Sequence, residues 1–127
     1  MLGQCSMKKS KALVKELDKL AQQLSHGKRC YFCTMLAIYT HHIIRRDDDL
    51  LRHDPINLLP VCDKCHGLIH NGSLNEFRYL PEWRVHELTR LKQMSYKDYL
   101  IFELNMTEEE FLREQRTKLR EKVSENY

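Results

Sequence analysis

Cys30-Tyr31-Phe32-Cys33 and Cys62-Asp63-Lys64-Cys65 constrain this chain more than any other feature. Zinc takes four tetrahedral thiolate or imidazole ligands, and each Cys-x-x-Cys turn offers two at a workable separation. A pair of such turns is a stronger signal than either alone. A redox dithiol would use one pair and leave the other without a purpose. Cys62-Asp63-Lys64-Cys65-His66 also matches the haem-attachment pattern, but that assignment ignores Cys30 and Cys33 and needs an export signal. A structural zinc accounts for all four cysteines. It also supplies what residues 27–72 lack, since few long apolar runs fall there and small modules of that kind need a staple.

Between and beside these cysteines lie His41, His42, Asn57, His66 and His70. His66 and His70 are four apart on a predicted helix, so both imidazoles leave one face. His41 and His42 fall on a predicted strand, where neighbours point to opposite sides. One of them can face a metal ion while the other turns toward a water or a bound phosphate. Four histidines beside a zinc-stapled hairpin point to a second metal site. His26, His53 and His86 have no such company and read as incidental, and the odd cysteine, Cys5, receives no role.

The rest of the chain reads as helices around this core. Residues 1–6 carry no ordering signal. Leu13, Leu17, Leu20 and Leu24 recur at helical steps, predicting an amphipathic helix from about residue 7 to 24, with Gly27 as its left-handed stop. Residues 37–44 and 56–61 are rich in β-branched and apolar side chains and predict two strands, the second restricted by Pro60. A helix over 63–70 ends at Asn71-Gly72. Pro81 opens a helix through Leu88 and Leu91, and Ser95 with Asp98 caps a short one through Leu104. Thr107 and Glu110 form a capping-box pattern for a charged helix to about Val123. Trp83, Tyr96, Tyr99 and Phe102 are expected in the core. The stripe of Leu112, Leu119 and Val123 suits either an exposed helix or a contact with a protein partner or second copy.

The expected class is therefore α+β, in three segments: a basic helical arm (1–26), a zinc-stapled core (27–72) and a helical extension (73–127). Net charge is only +3, but Lys8, Lys9, Lys11, Lys15, Lys19, Lys28 and Arg29 cluster ahead of the cysteine site. Such an arm suits a polyanion, and equally suits a solvated helix face. No run approaches the length needed to span a bilayer, and lysines interrupt the N-terminus from Lys8, so a cytoplasmic protein without membrane attachment is expected.

The run Thr40-His41-His42-Ile43-Ile44, then Asp54-Pro55-Ile56-Asn57-Leu58-Leu59-Pro60-Val61-Cys62, then Cys65-His66 and His70, resembles the HNH endonucleases. The spacing of His-His, Asn, His and His is similar to that of colicin nuclease domains, and the four cysteines to the zinc-stapled branch of phage and restriction-type members. The resemblance covers residues 30–72. It implies a ββα-metal core, a hairpin followed by a helix with one divalent ion between them, and DNA as substrate. It implies that His41, His66 and His70 are ligands of a catalytic Mg²⁺, or of Mn²⁺, Ni²⁺ or Zn²⁺. By the same token His42 is the general base, and Asn57 holds the loop and orients His42 by hydrogen bonding. The implied products carry 5′-phosphate and 3′-hydroxyl ends. Asp47-Asp48-Asp49 departs from the glycines that many members have after the base.

These residue types suit phosphodiester hydrolysis. A neutral imidazole accepts a proton near physiological pH, a cation held by neutral ligands keeps its charge for the phosphate, and asparagine bonds without titrating. Arg45 and Arg46, just after the base, are candidates to clamp a non-reacting phosphate, or form an ordinary solvated turn. The alternatives are a catalytically silent zinc-stapled DNA-binding or assembly module, a partner-dependent, structure-selective nuclease of phage recombination or packaging acting in the host cytoplasm, and a nuclease acting on RNA.

Overall fold

A computed structural model describes residues 11–125, so Cys5, Lys8, Lys9 and the expected start of the first helix lie outside the described residues. Helix α1 spans Lys11–Gln23 because Leu13, Leu17 and Ala21 fall on one stripe and bury there, leaving Lys11, Lys15 and Lys19 exposed. Gly27 then turns the chain at φ +77°, a left-handed conformation that favours glycine.

Strand β1 (Tyr39–His42) pairs antiparallel with β2 (Leu58–Val61), setting His41 opposite Leu59 and His42 opposite Leu58. Both strands are shorter than their apolar runs. Ile43 and Ile44 leave the ladder to meet Asn57, and Pro55–Asn57 is a 3₁₀ turn capped by the Asp54 carboxylate. Pro60 stays in the sheet opposite Thr40, and its carbonyl accepts from the Tyr31 N–H on the far side at 2.8 Å. Helix α2 (Asp63–His70) follows directly and stops at Asn71 and Gly72.

A 3₁₀ turn (Glu76–Tyr79) leads to α3 (Glu82–Lys92), opened by Pro81. Ser95 caps the short α4 (Tyr96–Asp98), which runs on as a π-helical turn (Tyr99–Leu104). Thr107 and Glu110 form the capping box of α5 (Glu108–Ser124). The mixed helix-and-sheet class is as expected, with five helices and one two-stranded sheet among the described residues. No described helix is long and apolar enough to cross a membrane.

Two expectations for the flanks change. Trp83 and Phe102 are 66% and 78% exposed, so they are surface residues rather than core, whereas Tyr96 and Tyr99 are half-buried. The π turn widens the helix around Phe102 and ends at Asn105 in a left-handed conformation, detail that helical periodicity does not carry. Leu112, Leu119 and Val123 are buried within the chain, α5 lying along α1 with Glu16 paired to Arg116 and Arg120. That stripe thereby packs within the chain. All three sequence segments share one apolar cluster, with Leu17, Leu59 and Leu119 among its members.

His53 is not incidental. It is 4% exposed and lies 2.8 Å from Asp18, which also takes a two-pronged contact from Arg52 at 2.8 and 3.1 Å. The cluster ties α1 to the loop after β1. Burial holds His53 below its ordinary value of 6.5, against the pull of Asp18. Burial opposes ionised Asp18 too, but the bonds from His53 and Arg52 prevail and hold its pKa down. Because the folded pKa of His53 lies below 6.5, its contribution to stability is complete above that pH and is lost as pH falls. Asp18 acts in the same direction, at lower pH. His53→Gln keeps a donor toward Asp18 without titrating. The wild-type urea midpoint is expected to fall more steeply than that of H53Q between about pH 7 and about pH 5. Parallel profiles would show that His53 is not held neutral.

Candidate metal centres

The four predicted cysteines meet. Cys30 and Cys33 lie on a turn closed by the Cys30 N–H on the Met35 carbonyl at 2.7 Å, and Cys62 and Cys65 sit at the start of α2. All four sulfurs lie within 4.8 Å of one another and no pair is bridged. Cys33 Sγ and Cys62 Sγ are 3.6 Å apart. That is far longer than a disulfide and close to the ~3.8 Å edge of a tetrahedron with zinc–sulfur bonds of ~2.3 Å. Backbone donors also point at two of the sulfurs, the Phe32 N–H at Cys30 Sγ and the Cys65 N–H at Cys62 Sγ, both at 3.4 Å. Burial alone would raise the Cys30 pKa, yet the surrounding backbone N–H groups bring it down to about 7. Cys65 is pushed up by burial and then by the neighbouring sulfurs. Four sulfurs at this spacing would repel one another as thiolates without a cation among them. The cluster is positioned to hold a metal ion, and its donor set fits zinc.

His41 on β1 and His66 and His70 on α2 form a second group whose candidate ligand nitrogens lie within 4.8 Å of one another. The four-residue step along α2 brings the Nε2 atoms of His66 and His70 to 3.0 Å. The His41 ring, on β1, is 5.7 Å from His66 and 6.1 Å from His70 between centroids. Burial, then the neighbouring histidines, lowers the His41 pKa to about 4, and burial with His70 lowers that of His66. The rings of His41 and His66 are therefore neutral near pH 7, with nitrogen lone pairs available to a cation.

His42 and these three histidines line one cleft of about 490 Å³, together with Arg45, Arg46 and Asp47. The His42 Nε2 lies 3.0 Å from the Arg52 carbonyl, which can only accept, so Nε2 carries the proton and Nδ1 keeps its lone pair. Burial and Arg46 hold its pKa down at about 4. Arg45 is exposed, and Arg46 reaches Asp18 at 3.6 Å.

The hydrogen bonds of the Asn57 side chain go to backbone groups rather than to His42. Asn57 is fully buried, accepting from the Ile44 N–H at 2.6 Å and donating to the carbonyls of Ile44 and Leu51 at 3.0 and 3.1 Å. It clamps the loop whose Arg52 carbonyl holds His42, so its influence on that ring is indirect. Asp48 turns the same loop by accepting from the N–H groups of Leu50 and Leu51, a local use for the acidic run.

Comparison of the chain with family models, curated proteins and solved structures finds no match.

Three contributors escaped sequence reasoning. Glu76 places Oε2 3.2 Å from His41 Nε2. Tyr39 lays its ring 4.9 Å from His66 and bonds Asp63 at 3.3 Å. Arg84, on α3, donates to the carbonyls of Pro55, Ile56 and Leu58 at 2.7–3.2 Å, bracing the turn that holds Asn57. Only Tyr39 had a local signal, its place two residues before His41 on the same side of a strand. Of the basic arm, Lys11, Lys15, Lys19, Lys28 and Arg29 are exposed, and Arg29 donates to the Thr34 carbonyl at 3.0 Å.

Proposed function

We propose that this protein is a metal-dependent endonuclease of the HNH type that hydrolyses DNA phosphodiester bonds, with a structural zinc on Cys30, Cys33, Cys62 and Cys65. The observation that carries this reading is a single cleft in which three imidazoles converge beside a fourth whose Nδ1 keeps its lone pair. A divalent cation on His41, His66 and His70 would supply positive charge to the phosphate oxygens and the departing alkoxide.

The chain's own groups divide the remaining work. His42 Nδ1 accepts the proton of the attacking water, with Nε2–H held by the Arg52 carbonyl so that the ring cannot present the wrong nitrogen. Asn57 keeps that loop in place without titrating. Arg45, the freer of the two arginines in the cleft, can meet a phosphate oxygen that does not react. The exposed lysines of α1, with Lys28 and Arg29, neutralise neighbouring phosphates, which makes binding fall with salt.

Plasmid cleavage by zinc-loaded protein tests the reading, with Mg²⁺, Mn²⁺, Ni²⁺ or excess EDTA and with a competing RNA of matched length. Nicking is expected with an added ion, absent with EDTA, and stronger on DNA. No cleavage by folded, zinc-loaded protein with any ion would leave a zinc-stapled nucleic-acid-binding module in its place. Preference for the RNA would move the substrate class.

A further inference from the structure

Glu76 lies outside the stretch that carries the histidines, on the 3₁₀ turn after α2, yet its carboxylate reaches one histidine of the group. Oε2 is 3.2 Å from His41 Nε2, and the two side chains are 14% and 10% exposed. The turn is fixed independently of this contact. The Leu74 N–H bonds the Leu68 carbonyl of α2 at 3.0 Å, and Asn75 Oδ1 caps the Phe77 N–H at 3.1 Å. Glu76 is thus the first residue of a turn anchored to the helix that carries His66 and His70.

The consequence concerns which nitrogen His41 can offer. A carboxylate only accepts, so its contact with Nε2 places the ring proton there and leaves the Nδ1 lone pair exposed. His41 is buried, so its ring has little freedom to choose for itself, whereas His70 is exposed. Glu76 itself is not among the residues whose donor atoms group together as ligands. Carboxylates placed behind a ligand histidine fix its tautomer and raise its basicity.

We propose that Glu76 is a positioning residue that accepts the His41 Nε2–H and so presents His41 Nδ1 to the divalent cation of the cleft. The residue belongs to the C-terminal segment, which therefore completes the centre as well as packing on it. The inference rests on the proposed metal site, and the experiment separates the two.

Ni²⁺ is titrated into zinc-loaded wild type, E76Q and E76A in competition with a chromophoric chelator. The His41 tautomer is read in nickel-free protein from ring ¹⁵N shifts. E76A is expected to bind Ni²⁺ about 10- to 100-fold more weakly and to lose the single Nε2–H tautomer of His41. E76Q keeps an accepting oxygen and is expected to retain the tautomer and most of the affinity. Wild-type affinity in E76A, with the tautomer unchanged, would overturn the inference. Equal losses in E76Q and E76A with His41 unchanged would also overturn it, making Glu76 a direct ligand. Should wild type take up no second ion, the metal-site reading falls and the role of Glu76 toward a cation with it, while the tautomer still reports whether Glu76 orients His41. Retained zinc and circular dichroism exclude misfolding as the cause.

Discussion

Cys65→Ser is expected to abolish zinc retention at the four-cysteine centre and to melt β1, β2 and α2 together. Cys65 is 6% exposed, and its sulfur closes a set that joins the turn before the hairpin to the helix after it. Structural zinc binding is worth about 10–16 kcal/mol in small modules, against a net folding stability of about 5–15 kcal/mol for a whole domain. Without the ion, the centre keeps largely buried thiols crowded together and loses the link between the two turns. The hairpin has little to replace it, for its four-residue strands form a lone two-stranded sheet. Helices α1 and α5 hold each other through Leu13, Leu17, Leu112 and Leu119 and should retain part of their helicity. Zinc content and amide exchange of the purified variant test this. Protected amides in residues 39–42 and 58–61 of a zinc-free protein would refute it.

His42→Ala is expected to lower cleavage by about 10²- to 10⁴-fold, the usual contribution of a positioned general base. Zinc content, Ni²⁺ uptake and fold are expected to survive. The imidazole makes one side-chain hydrogen bond, to the Arg52 carbonyl, and such a bond contributes about 1 kcal/mol. The ligand group of His41, His66 and His70 does not include it. Loss of activity with both metals retained would therefore isolate proton transfer from assembly of the site. Cleavage within a few-fold of wild type would remove His42 from the mechanism and turn attention to another base in the cleft.

The legible parts of this protein are those written at short range. A two-residue gap between cysteines, a four-residue step between His66 and His70, and the capping patterns at Ser95 and Thr107 each act within one or two turns of chain. Backbone geometry then leaves few outcomes. The strands were legible as elements but not in length, because Asn57 captures Ile43 and Ile44 from the far side of the loop.

What the sequence by itself determined is the set of cysteines and histidines that group together, the amphipathic faces and the order of hairpin and helix. Only the tertiary structure decided what those groups meet. Glu76 reaches His41 across 35 positions, His53 reaches Asp18 across the same span, and Glu16 reaches Arg116 across 100. Contacts of that range depend on the closure of the whole core, which no local propensity encodes. Helical spacing likewise marks a stripe without saying which surface covers it. Burial of α5 against α1 supplied that answer, leaving Trp83 and Phe102 to solvent.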